Sequence, residues 1–347
     1  MNRDDWTIHE GDALGAYASW ATPDCIISDG AYGVGGFHGD PRTPDGLAEW
    51  YRPHIEAWSA RAKYSTTLWF WNTEIGWANV HPILIENGWE YVEAIHWDKG
   101  IAHVAGNVNG KTIRRFPVAN EICVFYQRRL QFPVEGGYQH AKNWMLAEWK
   151  RTGLPLRRAN EACGVRDAAV RKYLDQGWLW YPAPVEMMDK LVEYANEYGD
   201  PEGRPYFSLD GSQPITGKEW GEMRYTWTHV HGYTNVWKLG ALHGKERVKG
   251  TGKRQAPRVH NPKAGVASAH LNQKPLEFMR RILASCTRPG DVLWEPFGGL
   301  CSASVAAVEL SRRSFAAEID ENFVALAVSR IEEARARISG EVGFDQI

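Results

Sequence analysis

The chain has 347 residues, 44% hydrophobic and 24% charged, enough to bury a large core and to suggest roughly two domains. Its 40 Lys and Arg against 42 Asp and Glu give a net charge of −2, so a nucleic-acid-binding surface has to be a local patch. The composition excludes collagen-like, disordered and disulfide-stapled chains. Cys25, Cys123, Cys163, Cys286 and Cys301 are scattered and never spaced C-x-x-C, which argues against a disulfide framework or a cysteine zinc site and fits a reducing cytosol. The start, MNRDDWTIHEGD, carries acids and lacks the apolar run of a signal peptide, and no membrane span is expected.

Strand and helix signals alternate over the first 130 residues. Residues 6–10 read as a short strand. Residues 24–28 (DCIIS) read as a buried strand broken by Asp29-Gly30-Ala31-Tyr32-Gly33. Residues 47–62 have helical spacing with Trp50, Ile55 and Trp58 as anchors, and 66–71 (TTLWFW) form an apolar strand. A helix over 77–86 ends at Asn87-Gly88, and strands follow over 91–97 and 121–127. Such alternation predicts a mostly parallel sheet covered on both faces.

The character changes after Arg129. Residues 140–198 read as helical, charged and Trp-rich, and 199–215 as a connector rich in Gly, Pro, Ser and Asp. Residues 243–264 carry seven Lys or Arg, among them Lys253 and Arg254, against the single acid Glu246. Both a solvated surface loop and a loop that tracks phosphates fit that pattern. The α/β signal returns with a helix over 276–286, a strand over 291–294, a helix over 302–310, a strand over 314–317 and a final helix over 321–338.

Segment 289–320 (PGDVLWEPFGGLCSASVAAVELSRRSFAAEID) is thus a strand, a Gly-rich turn, a helix and a second strand. The first strand ends at Glu295 and the second at Glu318, 23 residues later, a spacing that suits a carboxylate gripping the ribose hydroxyls of a nucleoside cofactor. An ordinary β-α-β unit has the same outline, and G-x-G-x-x-G is absent.

These residues resemble the amino-group DNA methyltransferases. Segment 291–320 is similar to their D-x-F-x-G-x-G motif with its following acid, 270–278 (HLNQKPLEF) to their H-P-x-Q-K-P-x-x-L element, and Asp29-Gly30-Ala31-Tyr32 to their catalytic D-P-P-Y. The order, catalytic motif first and cofactor motif last, is that of the β group, and the resemblance covers roughly residues 1–130 and 265–335. It implies S-adenosylmethionine as methyl donor. Glu295 takes the place of the first acid, Phe297 of the aromatic residue, Gly299 of the first glycine and Glu318 of the ribose-binding acid. Asn272, Gln273 and Lys274 match the element along the methionine moiety, and Gly11-Asp12 resembles the site near the adenine ring. Cys301 stands where the second glycine is expected, which suggests a wider turn. Asp29 and Gly30 correspond to the acceptors of the target amine's hydrogens, Ala31 to the second proline position and Tyr32 to the ring that stacks on a flipped base. Both prolines of the pattern are absent, which makes the loop permissive. Trp97-Asp98-Lys99 resembles a W-x-K segment lining the base pocket, and core packing suits Trp97 equally. The absence of a Pro-Cys pair excludes C5-cytosine chemistry.

Residues 154–174 (LPLRRANEACGVRDAAVRKYL) resemble a helix-turn-helix, with Gly164 at the turn, Val165 and Val170 at core positions, and Arg166, Arg171 and Lys172 facing outward for DNA. A helical hairpin with a basic face fits the same residues. The expected organisation is a Rossmann-like α/β methyltransferase sheet with a mainly helical inserted target-recognition region: a catalytic half over 1–133, the insertion over 134–240, and a basic loop and cofactor half over 241–347. The resemblance implies a sequence-specific enzyme methylating adenine N6 or cytosine N4 in double-stranded DNA, cytoplasmic and nucleoid-associated, without a metal or a membrane partner. A homodimer and a cognate restriction endonuclease are further partners it raises. A DNA-binding regulator that no longer turns over is the alternative reading, motivated by the missing prolines and Cys301.

Overall fold

The computed structural model describes residues 5–36, 39–100, 114–201, 203–229, 232–240, 242, 246–248 and 273–340. The chain divides into two compact units, one of residues 1–128 with 226–347 and one of residues 129–225.

The first unit begins with β1 (Trp6–Glu10), β2 (Cys25–Ser28), α1 (Leu47–Arg61), β3 (Thr67–Asn72), α2 (Glu74–Glu86), β4 (Trp89–Asp98) and β5 (Asn120–Arg128). The second unit holds β6 (Gln131–Val134), β7 (Gly137–His140), α3 (Ala141–Arg151), α4 (Arg158–Cys163), α5 (Val185–Tyr198) and α6 (Gly217–Glu222). The first unit resumes with β8 (Val236–Lys238), α7 (Leu276–Cys286), β9 (Val292–Glu295), α8 (Ser302–Glu309), β10 (Arg313–Glu318) and α9 (Glu321–Ser339). Helix α2 starts three residues before its expected position of 77, because the Thr73 hydroxyl accepts the Gly76 N–H and caps it.

Eight strands form one sheet in the order β1-β10-β9-β2-β3-β5-β4-β8. All neighbours pair in parallel except β5, which runs antiparallel to both β3 and β4. The expectation of a mostly parallel sheet therefore holds. Residues of β2 and β3 are buried throughout, which is why they read as continuous apolar runs rather than as alternating ones. Successive residues of β10 serve two cores. Ala317 joins the cluster of Tyr51, Ile55, Trp58, Phe70 and Trp294, while Ala316 joins that of Trp6, Ile8, Val305, Val324 and Ile331, so both faces of the sheet are covered. The free thiols of all five cysteines are buried.

In the second unit, the segment read as a connector over 199–215 is tied down. Buried Glu148 of α3 accepts from Arg151, Arg204 and the Phe207 N–H, and Tyr206, Phe207 and Ser208 are buried. These three donors satisfy a carboxylate that would otherwise be costly to bury. The helix-turn-helix-like stretch also differs from expectation. Gly164 does end α4 in the left-handed region, at φ 65°. The following turn over 169–173 is π-helical, however, and the core positions are Ala159, Cys163, Ala169, Tyr173 and Leu174, with Val165 and Val170 only half-buried. Arg166, Arg171 and Lys172 are exposed as expected, Arg171 pairing with Asp167 at 3.3 Å and Lys172 lying 5.4 Å from the Tyr181 ring centre.

Candidate active site

The carboxyl ends of β2, β9 and β10 open into one cleft of about 1410 Å³ within the first unit. Strand ends at a point where the sheet order reverses leave room for a ligand between the loops. Asp12, Asp29, Gly30, Tyr32, Gln273, Lys274, Glu295, Phe297, Gly299 and Glu318 all line it. So two motifs some 270 residues apart in sequence share a cavity. Asn272, Lys253 and Arg254 lie outside the described residues.

At the cofactor-like end, the turn after β9 is organised by carboxylates. Glu295 accepts from the Ala303 and Ser304 N–H groups at 3.0 and 2.7 Å and from the Ser304 hydroxyl at 2.6 Å, so it caps α8. Burial pushes its carboxyl up to about 7 despite those bonds. Glu318 accepts the Gly299 N–H at 2.6 Å and the Asp320 N–H at 2.9 Å, each on a different oxygen, which leaves further lone pairs on both. A Cβ on Gly298 would lie 2.7 Å from the Cys301 sulfur. Cys301 sits at the amino end of α8. It takes the left-handed conformation a glycine would take, φ 49° and ψ 48°. Asp12 caps a short 3₁₀ turn by accepting the Leu14 N–H at 2.9 Å.

At the end formed by the loop after β2, Asp29 Oδ1 receives both the Lys274 ammonium at 2.8 Å and the Tyr32 hydroxyl at 2.9 Å. Lys274 therefore faces the acid. It also lies 3.6 Å from Glu121, which pairs with Lys99 at 2.8 Å. Burial would lower the Lys274 pKa, but Asp29 and Glu121 outweigh it and hold the ammonium above its usual range. Burial would likewise raise Glu121, and Lys274 and Lys99 hold it below the carboxylate range instead.

The loop after Asp29 is fixed without prolines. Asp40 accepts the N–H groups of Gly33, Val34 and Gly36 at 2.9, 3.3 and 2.7 Å. The Ala31 carbonyl receives the Tyr51 hydroxyl at 3.1 Å and the Asn72 amide at 2.9 Å. Ala31 is fully buried and absent from the cleft lining, and its carbonyl anchors the loop. Gly30 lies against the Phe297 ring, where a Cβ would come within 2.6 Å of a ring carbon. Trp97 is core: its indole N–H donates to the Leu239 carbonyl at 2.7 Å and the ring packs on Phe278.

Sequence reasoning missed Asp40, Trp50 and His54 as cleft residues. Trp50 was expected as a core anchor, yet it lines the cleft with its ring centre 5.2 Å from that of Phe297. His54 packs edge-on against the Phe297 ring, its Nδ1 lies 2.9 Å from the Tyr17 hydroxyl, and burial pushes its pKa down to about 4. Helical spacing alone could have put Trp50 and His54 on one face, four residues apart.

The sheet order and this cleft define a Rossmann-like methyltransferase fold. The N6/N4 DNA methylase family model matches residues 23–329, and the chain belongs to that family. The structure superposes on PvuII DNA methyltransferase (cytosine-N4-specific) with a TM-score of 0.50 and 12% identity, over 98% of this chain and 94% of that one. Type II methyltransferase M.HinfI of Haemophilus influenzae is 28% identical over 102 residues, 29% of this chain and 24% of that protein. DNA adenine methyltransferase YhdJ of Escherichia coli K12 is 28% identical over 65 residues, 19% of this chain and 22% of that protein. The matched stretches thus span about a quarter of these curated relatives.

Proposed function

We propose that the chain is a DNA methyltransferase that moves a methyl group from S-adenosylmethionine to an exocyclic amine, adenine N6 or cytosine N4, of a base in double-stranded DNA. The observation that carries this reading is the shared cleft: Asp29 at the end of β2 opens onto the same cavity as Glu295 and Glu318 at the ends of β9 and β10.

The cleft suits a cationic ligand of that size. Its described lining includes Asp12, Asp29, Asp40, Glu49, Glu295, Glu318, Asp320 and Glu321, with Lys274 the sole Lys or Arg among the described lining residues. Glu318, with lone pairs left over, suits ribose hydroxyls, and Asp12 and Gln273 line the same space. The bound donor would supply an electrophilic methyl on a positively charged sulfur. The chain's part is orientation and charge. An exocyclic amine is a weak nucleophile because its lone pair is spread into the base ring. Asp29 and the Gly30 carbonyl would accept the amine's two hydrogens, localise that pair on nitrogen, and align it for in-line attack. Asp29 would then take the proton the nitrogen sheds. Tyr32, held by its hydroxyl on Asp29, would offer its ring to a base flipped from the duplex.

The regulator reading drew on the missing prolines. Asp40, Tyr51 and Asn72 hold that loop by hydrogen bonds instead, which favours a working site. A restriction partner, a dimeric state and a nucleoid-associated cytoplasmic role belong to this same reading. No helix among the described residues is long and apolar enough to cross a membrane.

The test is incubation of purified chain with unmethylated genomic DNA and methyl-labelled S-adenosylmethionine, followed by nucleoside mass spectrometry. Label in N6-methyladenine or N4-methylcytosine is expected. Asp29→Ala should abolish it while duplex binding stays near wild type; label in neither nucleoside would overturn the reading.

A further inference from the structure

The antiparallel strand β5 brings one more carboxylate to the site. Because β5 runs against its neighbours, its amino end lies at the carboxyl ends of β2 and β3, with Ile122 opposite Asn72 and Glu121 opposite Trp97 of β4. There Asp29, Lys274, Glu121 and Lys99 form a row of alternating charge, linked at 2.8, 3.6 and 2.8 Å. The row is sunk into the protein, with Lys274 only 4% and Glu121 12% exposed. Asp29 and Lys274 line the cleft, whereas Glu121 and Lys99 do not.

We propose that Glu121 is a positioning residue for Asp29, acting through Lys274. A lysine ammonium is a compact charge on a flexible stem and has no geometry of its own. Two carboxylates on opposite sides give it one. Glu121 draws the ammonium from behind, and Lys99 keeps Glu121 in place. The ammonium and the Tyr32 hydroxyl then both bond Oδ1 of Asp29, so the carboxylate has one orientation and Oδ2 is left to meet the amine. The row also balances two acids with two cations, so no buried charge beside the cleft is left unpaired. The inference rests on the reading of Asp29 as the amine's acceptor. Among the described residues, the other ionisable groups facing Asp29 are Tyr51 of α1 and Cys123 of β5, whose burial holds both hydroxyl and thiol neutral.

The test uses the full chain, unmethylated genomic DNA and single-turnover methyl transfer, with S-adenosylhomocysteine titration as a binding control. Glu121→Gln should slow transfer about tenfold or more, while S-adenosylhomocysteine affinity changes less than about threefold. Glu121→Asp should recover part of the rate. Should Glu121→Gln fail to fold, the charge-balanced pair Glu121→Gln with Lys99→Met replaces it and should show the same slowed rate with S-adenosylhomocysteine affinity retained. An unchanged rate, or equal losses in rate, ligand affinity and thermal stability, would overturn the proposal. Asp29→Ala separates the layers. If it still methylates, the role of Asp29 falls and this inference with it. If it is dead while Glu121→Gln behaves as wild type, the inference alone falls.

Discussion

Gly30 is the tightest point of the loop after Asp29. With the Phe297 ring and the Tyr51 hydroxyl inside 3 Å of where a Cβ would stand, Gly30→Ala should destabilise the fold by about 1–3 kcal/mol and slow methyl transfer. Thermal melts and turnover on the same preparation check this; a variant matching wild type in both would mean Phe297 yields freely. Asp40 acts on the same loop from the other side. Asp40→Ala strands three N–H groups, one of them on buried Gly33, and should cost about 2–3 kcal/mol with at least a tenfold loss of rate. Of these contacts only Asp29-Gly30-Ala31-Tyr32 was legible in the sequence, since it follows a strongly apolar strand. Asp40 was not, because its partners are backbone N–H groups, and backbone carries no sequence signal. Cys301 was visible as an odd residue, but its left-handed backbone was not.

At the scale of elements, strands β2, β3 and β9 could be read because each is buried on both faces and so appears as an uninterrupted apolar run. The direction of β5 could not be read, since residue pattern reports burial and not orientation, and that direction is what brings Glu121 to the site. The three-residue β8 and the β6–β7 hairpin are too short for a periodic signal. Two buried groups on neighbouring elements should give opposed pH responses. His54 on α1 titrates near 6.5 unfolded but near 4 folded, so the unfolded chain binds more protons between those values and stability is lost as pH falls through them. Glu295 at the end of β9 titrates near 4.5 unfolded and near 7 folded, so the folded chain holds the extra proton and stability falls as pH rises through that window. Between pH 4.5 and 6.5 the two slopes oppose each other. Urea unfolding across this range should show His54→Gln losing stability with rising pH and Glu295→Gln gaining it, each approaching about 1.4 kcal/mol per pH unit. Two variants with the wild-type slope would contradict both assignments.

At the scale of the whole molecule, a second unit of residues 129–225 interrupts the first in sequence. The change of character after Arg129 coincides with its first residue, whereas the expected insertion ran over 134–240 and so took in residues 226–240, which belong to the first unit. The sequence misread 199–215 as a linker because its Gly, Pro and Asp content conceals the pairing of Arg204 with Glu148, residues 56 apart in the chain. If this unit reads DNA, Arg166→Ala and Lys172→Ala should each weaken duplex binding several-fold and reduce the salt slope by about 1, with S-adenosylhomocysteine affinity unchanged. Fluorescence anisotropy at several salt concentrations measures both, and unaltered slopes would remove these side chains from the DNA surface. The claim that binds all scales is that two distant segments of chain build one methyl-transfer cleft. A crystal structure of the full chain with S-adenosylhomocysteine tests it most directly. The account predicts the ribose on Glu318 and the sulfur end directed toward Asp29; a ligand bound outside this cleft, or turned with its sulfur away from Asp29, would contradict it.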